Sequence, residues 1–120
     1  MWIYSQSSGN LWDDRGLLIT RGYSGGGEGL NNPKLEAVKN IGPIPRGMWV
    51  LSCLYDSKSV GPHAIVLEPS GHNALERTYF RIHGDNRHMN KTASEGCVIL
   101  PRPIREKVWN SGDKLFLVIE

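Results

Sequence analysis

Apolar residues in this chain come in short bursts between turn-forming stretches, a pattern that predicts strands rather than long helices. Trp2 and Tyr4 flank Ile3, Gly9-Asn10 supplies a turn, and Leu11-Trp12 resumes the apolar pattern, so residues 1–20 begin as a hairpin. Asp13-Asp14-Arg15-Gly16 marks a second turn, and Leu17 to Thr20 reads as a short strand. Further strands are expected at Met48 to Leu54, Ala64 to Leu67, Arg77 to Ile82 and Val98 to Leu100. The last, Leu115 to Ile119, is apolar throughout and is expected at the centre of the sheet. Pro103 to Asn110 predicts a short helix, with proline in its first turn, Ile104 and Val108 on one face and Gly112 at its end.

Between the first strands and Met48 lies a glycine-rich stretch holding Gly22, Gly25, Gly26, Gly27, Gly29, Gly42 and Gly47. One or two helical turns are expected at Pro33 to Val38, and the prolines stiffen Gly42-Pro43-Ile44-Pro45-Arg46-Gly47 into a fixed connection. No internal repeat and no linker interrupts the chain. Residues 1–120 are therefore read as a single, mainly β domain with one or two short helices.

Composition narrows the function classes. The 120 residues include 14 glycines and 7 prolines, which favours a turn-rich fold over a helical bundle. A formal charge of +2 gives no reason to expect a nucleic-acid partner. No stretch approaches the roughly 18 apolar residues of a membrane span. The start, Met1-Trp2-Ile3-Tyr4-Ser5, has neither a basic segment nor a long apolar run, so no leader peptide is read there and synthesis in the cytoplasm is expected. Two cysteines, Cys53 and Cys97, are too few for a disulfide scaffold. Cys53 sits among Val50, Leu51 and Leu54 and is expected to be buried.

The chemistry concentrates around Cys97. His83 ends one apolar strand and Cys97 begins another, with a mostly polar loop between. Pairing of the two strands would bring imidazole and thiol together. A thiol is nucleophilic as thiolate, and an imidazole within reach takes its proton and later returns it to a leaving amine. Gly96 removes bulk beside the sulfur, and the amides of Gly96 and Cys97 are candidates for an oxyanion hole. Gly84 is expected to let the backbone turn sharply after His83. The group that orients the imidazole is left open between a carboxylate, with Asp85 the nearest, and a backbone carbonyl. A buried structural cysteine is one alternative. A zinc site at His83, His88 and Cys97 is another, but its spacing fits no compact finger pattern and a fourth ligand is hard to nominate, so no metal or other cofactor is expected.

The pattern His83-Gly84, a polar loop, then Ser94-Glu95-Gly96-Cys97-Val98 resembles the signature of YkuD-type L,D-transpeptidases. Tyr23-Ser24-Gly25, Asn31-Asn32-Pro33, Gly42 to Gly47 and Ala93 to Val98 together resemble the DUF2778 family, whose members include peptidoglycan-targeting effectors of type VI secretion. The likeness runs over residues 1–119. It implies a small L,D-transpeptidase-like β-sandwich with the catalytic residues on one rim. It implies Cys97 as nucleophile, His83 as general base, Ser94 as a residue shaping the loop or bonding near the histidine, and the Gly96 and Cys97 backbone as oxyanion hole. In the YkuD-type enzymes an arginine two residues after the cysteine helps hold the donor; that position is Ile99 here, and Arg102 is the candidate replacement. Arg81 and Arg87 are further candidates for a stem carboxylate. Tyr23 and Asn31 are candidates for contacts to the stem peptide.

The activity implied is L,D-carboxypeptidase or L,D-transpeptidase chemistry, including D-amino acid exchange, on peptidoglycan stem tetrapeptides. The setting implied is an antibacterial effector delivered into the periplasm of a target bacterium, with a secretion-apparatus component and an immunity protein as partners. The alternatives are an NlpC-type cysteine amidase or endopeptidase, in which cysteine precedes histidine as Cys53 precedes His83, and a non-catalytic wall-binding module.

Overall fold

Nine strands and one α-helix make up the regular structure of the computed structural model, which describes residues 1–120. In chain order they are β1 (Trp2–Ser5), β2 (Asn10–Trp12), β3 (Leu18–Arg21), β4 (Tyr23–Ser24), β5 (Gly47–Ser57), β6 (Gly61–Ser70), β7 (Arg81–His83), β8 (Val98–Ile99), α1 (Arg102–Asn110) and β9 (Leu115–Ile119). All nine strands form a single hydrogen-bonded ladder in the order β3-β2-β1-β9-β5-β6-β7-β8-β4.

That order forces the sheet to curl. β3 and β4 lie at opposite ends of the ladder, yet only Gly22 separates them in the chain. Two Cα atoms spaced by one residue are at most about 7 Å apart, so the ends of the ladder meet. Gly22 is the corner where they do. Its amide donates to the Gly9 carbonyl, and a Cβ there would stand 2.1 Å from the Ile99 carbonyl oxygen.

Closure gathers the inward side chains into one core. Trp2 and Tyr4 from β1, Trp49 and Leu51 from β5, Ile65 and Leu67 from β6, and Phe116 and Val118 from β9 all belong to it. Trp49 is the largest fully buried side chain, in edge-to-face contact with the Phe80 and His72 rings at centroid distances of 5.0 and 5.1 Å, its indole N–H donating to the Pro45 carbonyl. β9 runs parallel to β1 and antiparallel to β5, in the expected central place. Only one of its faces is sealed: Phe116 and Val118 are buried, while Leu115 and Ile119 reach solvent.

The helix follows Pro101, carries Pro103 in its first turn and buries Val108, with Ile104 packed against the core. Arg105 is buried as well. Its guanidinium donates to the carbonyls of Leu100, His63 and Pro62, tying α1 to β6. Of the turns expected at Pro33 to Val38, a single 3₁₀ turn forms at Pro33–Leu35.

Two local expectations are corrected. A register shift between Leu51 and Cys53 turns Cys53 outward, so it is exposed rather than buried. The strand expected from Arg77 shrinks to Arg81–His83, because Tyr79 adopts φ +65° and breaks the extended backbone within it.

Gly22→Ala is expected to cost about 3 kcal/mol, the upper end of overpacking costs, because its Cβ meets backbone that cannot yield. Gly16→Ala, where a Cβ meets nothing within 4 Å but φ is +79°, should cost only about 1 kcal/mol. Urea unfolding of the two variants checks the contrast.

Candidate functional site

β7 and β8 are parallel, with Ile82 opposite Val98 and His83 opposite Ile99. Ile82 and Val98 point together into the core and are fully buried. Side chains alternate between faces, so Arg81, His83 and Cys97 stand on the other face. There they line one open groove of about 580 Å3, with Phe80 and Tyr79 beside them, Lys39 and Asn40 across it, and Ser59 and Val60 from the tip of the β5–β6 hairpin.

His83 is almost wholly buried, at 3% exposure. Its Nδ1–H donates to the Gly84 carbonyl at 2.8 Å. That bond leaves Nε2 as the nitrogen free to accept a proton. The orienting group is thus a backbone carbonyl. Burial, joined by the positive charges of Arg81 and Arg105, holds the imidazole pKa below its ordinary 6.5, against the pull of Gly84 and Asp85.

Cys97 Sγ lies 3.5 Å from the Tyr79 carbonyl, toward which the S–H points. Burial pushes the thiol pKa up, while the Arg81 amide, charge and guanidinium pull it down. Tyr79 itself is 83% exposed at φ +65°, a strained rim residue whose carbonyl faces the sulfur.

The turn before Cys97 is held from within. Ser94 Oγ donates to the Cys97 carbonyl at 2.6 Å and accepts from the amides of Gly25 and Gly96 at 2.9 and 3.0 Å. Ser94 shapes this turn and makes no bond to His83. The Gly96 amide is engaged by Ser94, so it does not point at an oxyanion, contrary to the sequence expectation. Glycine is required there for another reason. Its φ is +143°, and a Cβ would stand 2.6 Å from Arg77 Nη2. Arg77, 7% exposed, donates to the carbonyls of Glu36, Pro43, Gly42 and Glu95, pinning the 36–43 loop to this turn.

Several residues expected at the site are placed elsewhere. Tyr23 is buried, and its hydroxyl donates to Asp85 at 2.7 Å and accepts from the Ala93 amide at 3.1 Å. It braces both ends of the 85–93 loop, and its pKa is pushed up to about 12 by burial and then by Asp85. Asn31 accepts from the Ser24 amide through its side chain. Asp85 holds Tyr23 and the Asn86 amide rather than the imidazole. Gly84 has no positive φ; what it provides is room for the Arg105 guanidinium, 2.9 Å from where a Cβ would stand. Arg102 is solvated on α1 and paired with Glu106, off the groove. Cys53, the thiol needed for the reversed cysteine–histidine order, does not line the groove, and neither does His88. Arg77 and the Tyr79 carbonyl were not legible as parts of the site, because both get there through the broken ladder at 74–79.

The family model for the Tlde1 domain matches residues 19–115. A solved structure described as the NMR structure of the catalytic domain from E. faecium L,D-transpeptidase has a similar fold, with a TM-score of 0.53 at 14% identity over 98% of this chain and 95% of that one. No curated protein matches the sequence.

Ser94→Ala strands two amides and a carbonyl, and should lower stability by at least about 2 kcal/mol. Chemical denaturation is the check, with Arg102→Gln, expected to leave the midpoint unchanged, as the comparison.

Proposed function

The chain belongs to the Tlde1 domain family, and from that membership and the groove we propose a peptidoglycan-modifying cysteine enzyme that acts on stem tetrapeptides. One observation carries the reading. A thiol and an imidazole with its proton-accepting nitrogen free share one open groove on adjacent strands. The fold, similar to that of an L,D-transpeptidase catalytic domain, supports it.

The proposed reaction is acyl transfer. Cys97 Sγ attacks the carbonyl carbon of diaminopimelate in the stem tetrapeptide. The thiol proton passes to His83 Nε2. As the C–S bond is kept and the C–N bond to the terminal D-alanine breaks, His83 hands that proton to the departing amine. The thioester is then resolved by water, which shortens the stem and restores the thiol. A free D-amino acid in place of water gives exchange, and the side-chain amine of a second diaminopimelate gives a 3–3 crosslink.

Family membership also supports a role as an antibacterial effector. The partners proposed are a secretion apparatus that delivers it to a target periplasm and an immunity protein that covers the groove in the producing cell.

Incubation with purified tetrapeptide muropeptides, with and without a free D-amino acid, is expected to yield tripeptide or exchanged products by mass spectrometry. Cys97→Ala and His83→Ala should each lower turnover at least ~100-fold; a Cys97→Ala protein that still turns over refutes the reading. The acid limb of kcat/KM should have its midpoint below 6.5, because burial keeps His83 neutral to lower pH than a free imidazole. A midpoint above 6.5 contradicts that role.

A further inference from the structure

The groove holds a charge that the acyl-transfer chemistry above does not use. Arg81 stands on β7, two residues before His83 and on the same face. Continuing the register of Ile82 with Val98 by one position sets Arg81 directly opposite Cys97. Neighbouring strands are about 4.8 Å apart. His83 is displaced two residues along β7, so its Cα lies roughly 8 Å from that of Cys97. Arg81, not His83, is the residue level with Cys97 across the ladder.

The guanidinium is held but not neutralised. Tyr55, reaching across from β5, accepts a hydrogen bond from Arg81 Nη1 at 2.7 Å. Arg81 forms no ion pair with any carboxylate, and its Nε is buried without a partner. A cation this poorly compensated needs an anion nearby. Around the groove the other charged or titratable side chains are Lys39, Arg77, Glu95, His83 and the Tyr79 phenol. Arg77 spends its donors on loop carbonyls. Glu95, the one carboxylate there, is exposed and forms no ion pair with Arg81, which leaves the thiolate as the charge Arg81 is placed to meet.

We propose that Arg81, held in place by Tyr55, is the counter-charge of the Cys97 thiolate, a positioning residue that sets how readily the sulfur becomes and remains an anion. The proposal rests on the assignment of Cys97 as nucleophile. A thiolate is both the attacking and the leaving group in acyl transfer, so one fixed cation serves both steps. Burial raises the thiol pKa and Arg81 opposes it, in line with this placement.

The test is the pH profile of Cys97 alkylation by iodoacetamide in a Cys53→Ser background, which leaves Cys97 as the sole thiol. Arg81→Gln should move the profile up by about one pH unit, a ~tenfold slower alkylation at pH 7. Arg81→Lys should restore most of the shift, and Tyr55→Phe should lie between wild type and Arg81→Gln. His83→Gln should move the profile less than Arg81→Gln does. An unmoved profile in a folded Arg81→Gln protein, or a larger shift from His83→Gln, overturns the proposal. If Arg81→Gln does not fold, Tyr55→Phe decides, and an unmoved profile there overturns it equally. Alkylation needs no muropeptide, so loss of the proposed substrate would leave this result standing, and the reverse also holds.

Discussion

Everything at the site depends on the parallel pairing of β7 with β8. Parallel neighbours cannot be joined by a tight turn; the chain must leave one end and come back to the other. Here the return runs through residues 84–97 without a helix. It sets the last residue of β7, His83, and the residue just before β8, Cys97, on one face but at different heights, with Arg81 level with the sulfur. A register slip of one residue in either strand would turn its groove-facing residues inward and push Ile82 or Val98 out of the core. The core residues Ile82 and Val98, both fully buried, are what prevent it.

The return loop is held at three places by groups that spend their polar atoms on the loop itself. Tyr23 clamps Asp85 to the Ala93 amide. Ser94 closes the turn before the sulfur. Arg77 fastens that turn to the 36–43 loop, over a Gly96 that has no side chain to obstruct it. The glycine-rich stretch takes part in the same way: Gly26 lies against the Ser94 carbonyl, 2.7 Å from where a Cβ would stand. These glycines let the protein's own backbone approach itself, so the segments around Tyr23, Asn31 and Gly42 are supports for the turn before Cys97.

This explains what was readable in the chain. The strands β5, β6, β8 and β9 and the helix follow from apolar runs and a well-placed proline, all local signals. His83 and Cys97 could be nominated as a pair because each borders such a run. The place of Tyr23 and Arg102 could not be read, because a tyrosine or arginine looks alike whether it faces ligand or braces a loop. Cys53 was misread because a bulge reverses the faces of a strand with no change in composition. Arg81 could be listed only among candidate cations, since its level with Cys97 follows from register, which no local pattern encodes.

Burial and reactivity oppose one another here. The sulfur is recessed enough that its anion is disfavoured, and the imidazole recessed enough that its cation is disfavoured. Under the proposed reading, Arg81 is the group that offsets the burial of the sulfur. The central claim is that Cys97 carries the acyl group. Intact-protein and peptide mass spectrometry after rapid acid quench of a reaction with tetrapeptide muropeptide tests it most directly. The account predicts an adduct on Cys97 with the mass of the donor less D-alanine, labile to hydroxylamine. A productive reaction whose quenched protein carries that adduct on Cys53 or another residue, with Cys97 unmodified, would contradict it.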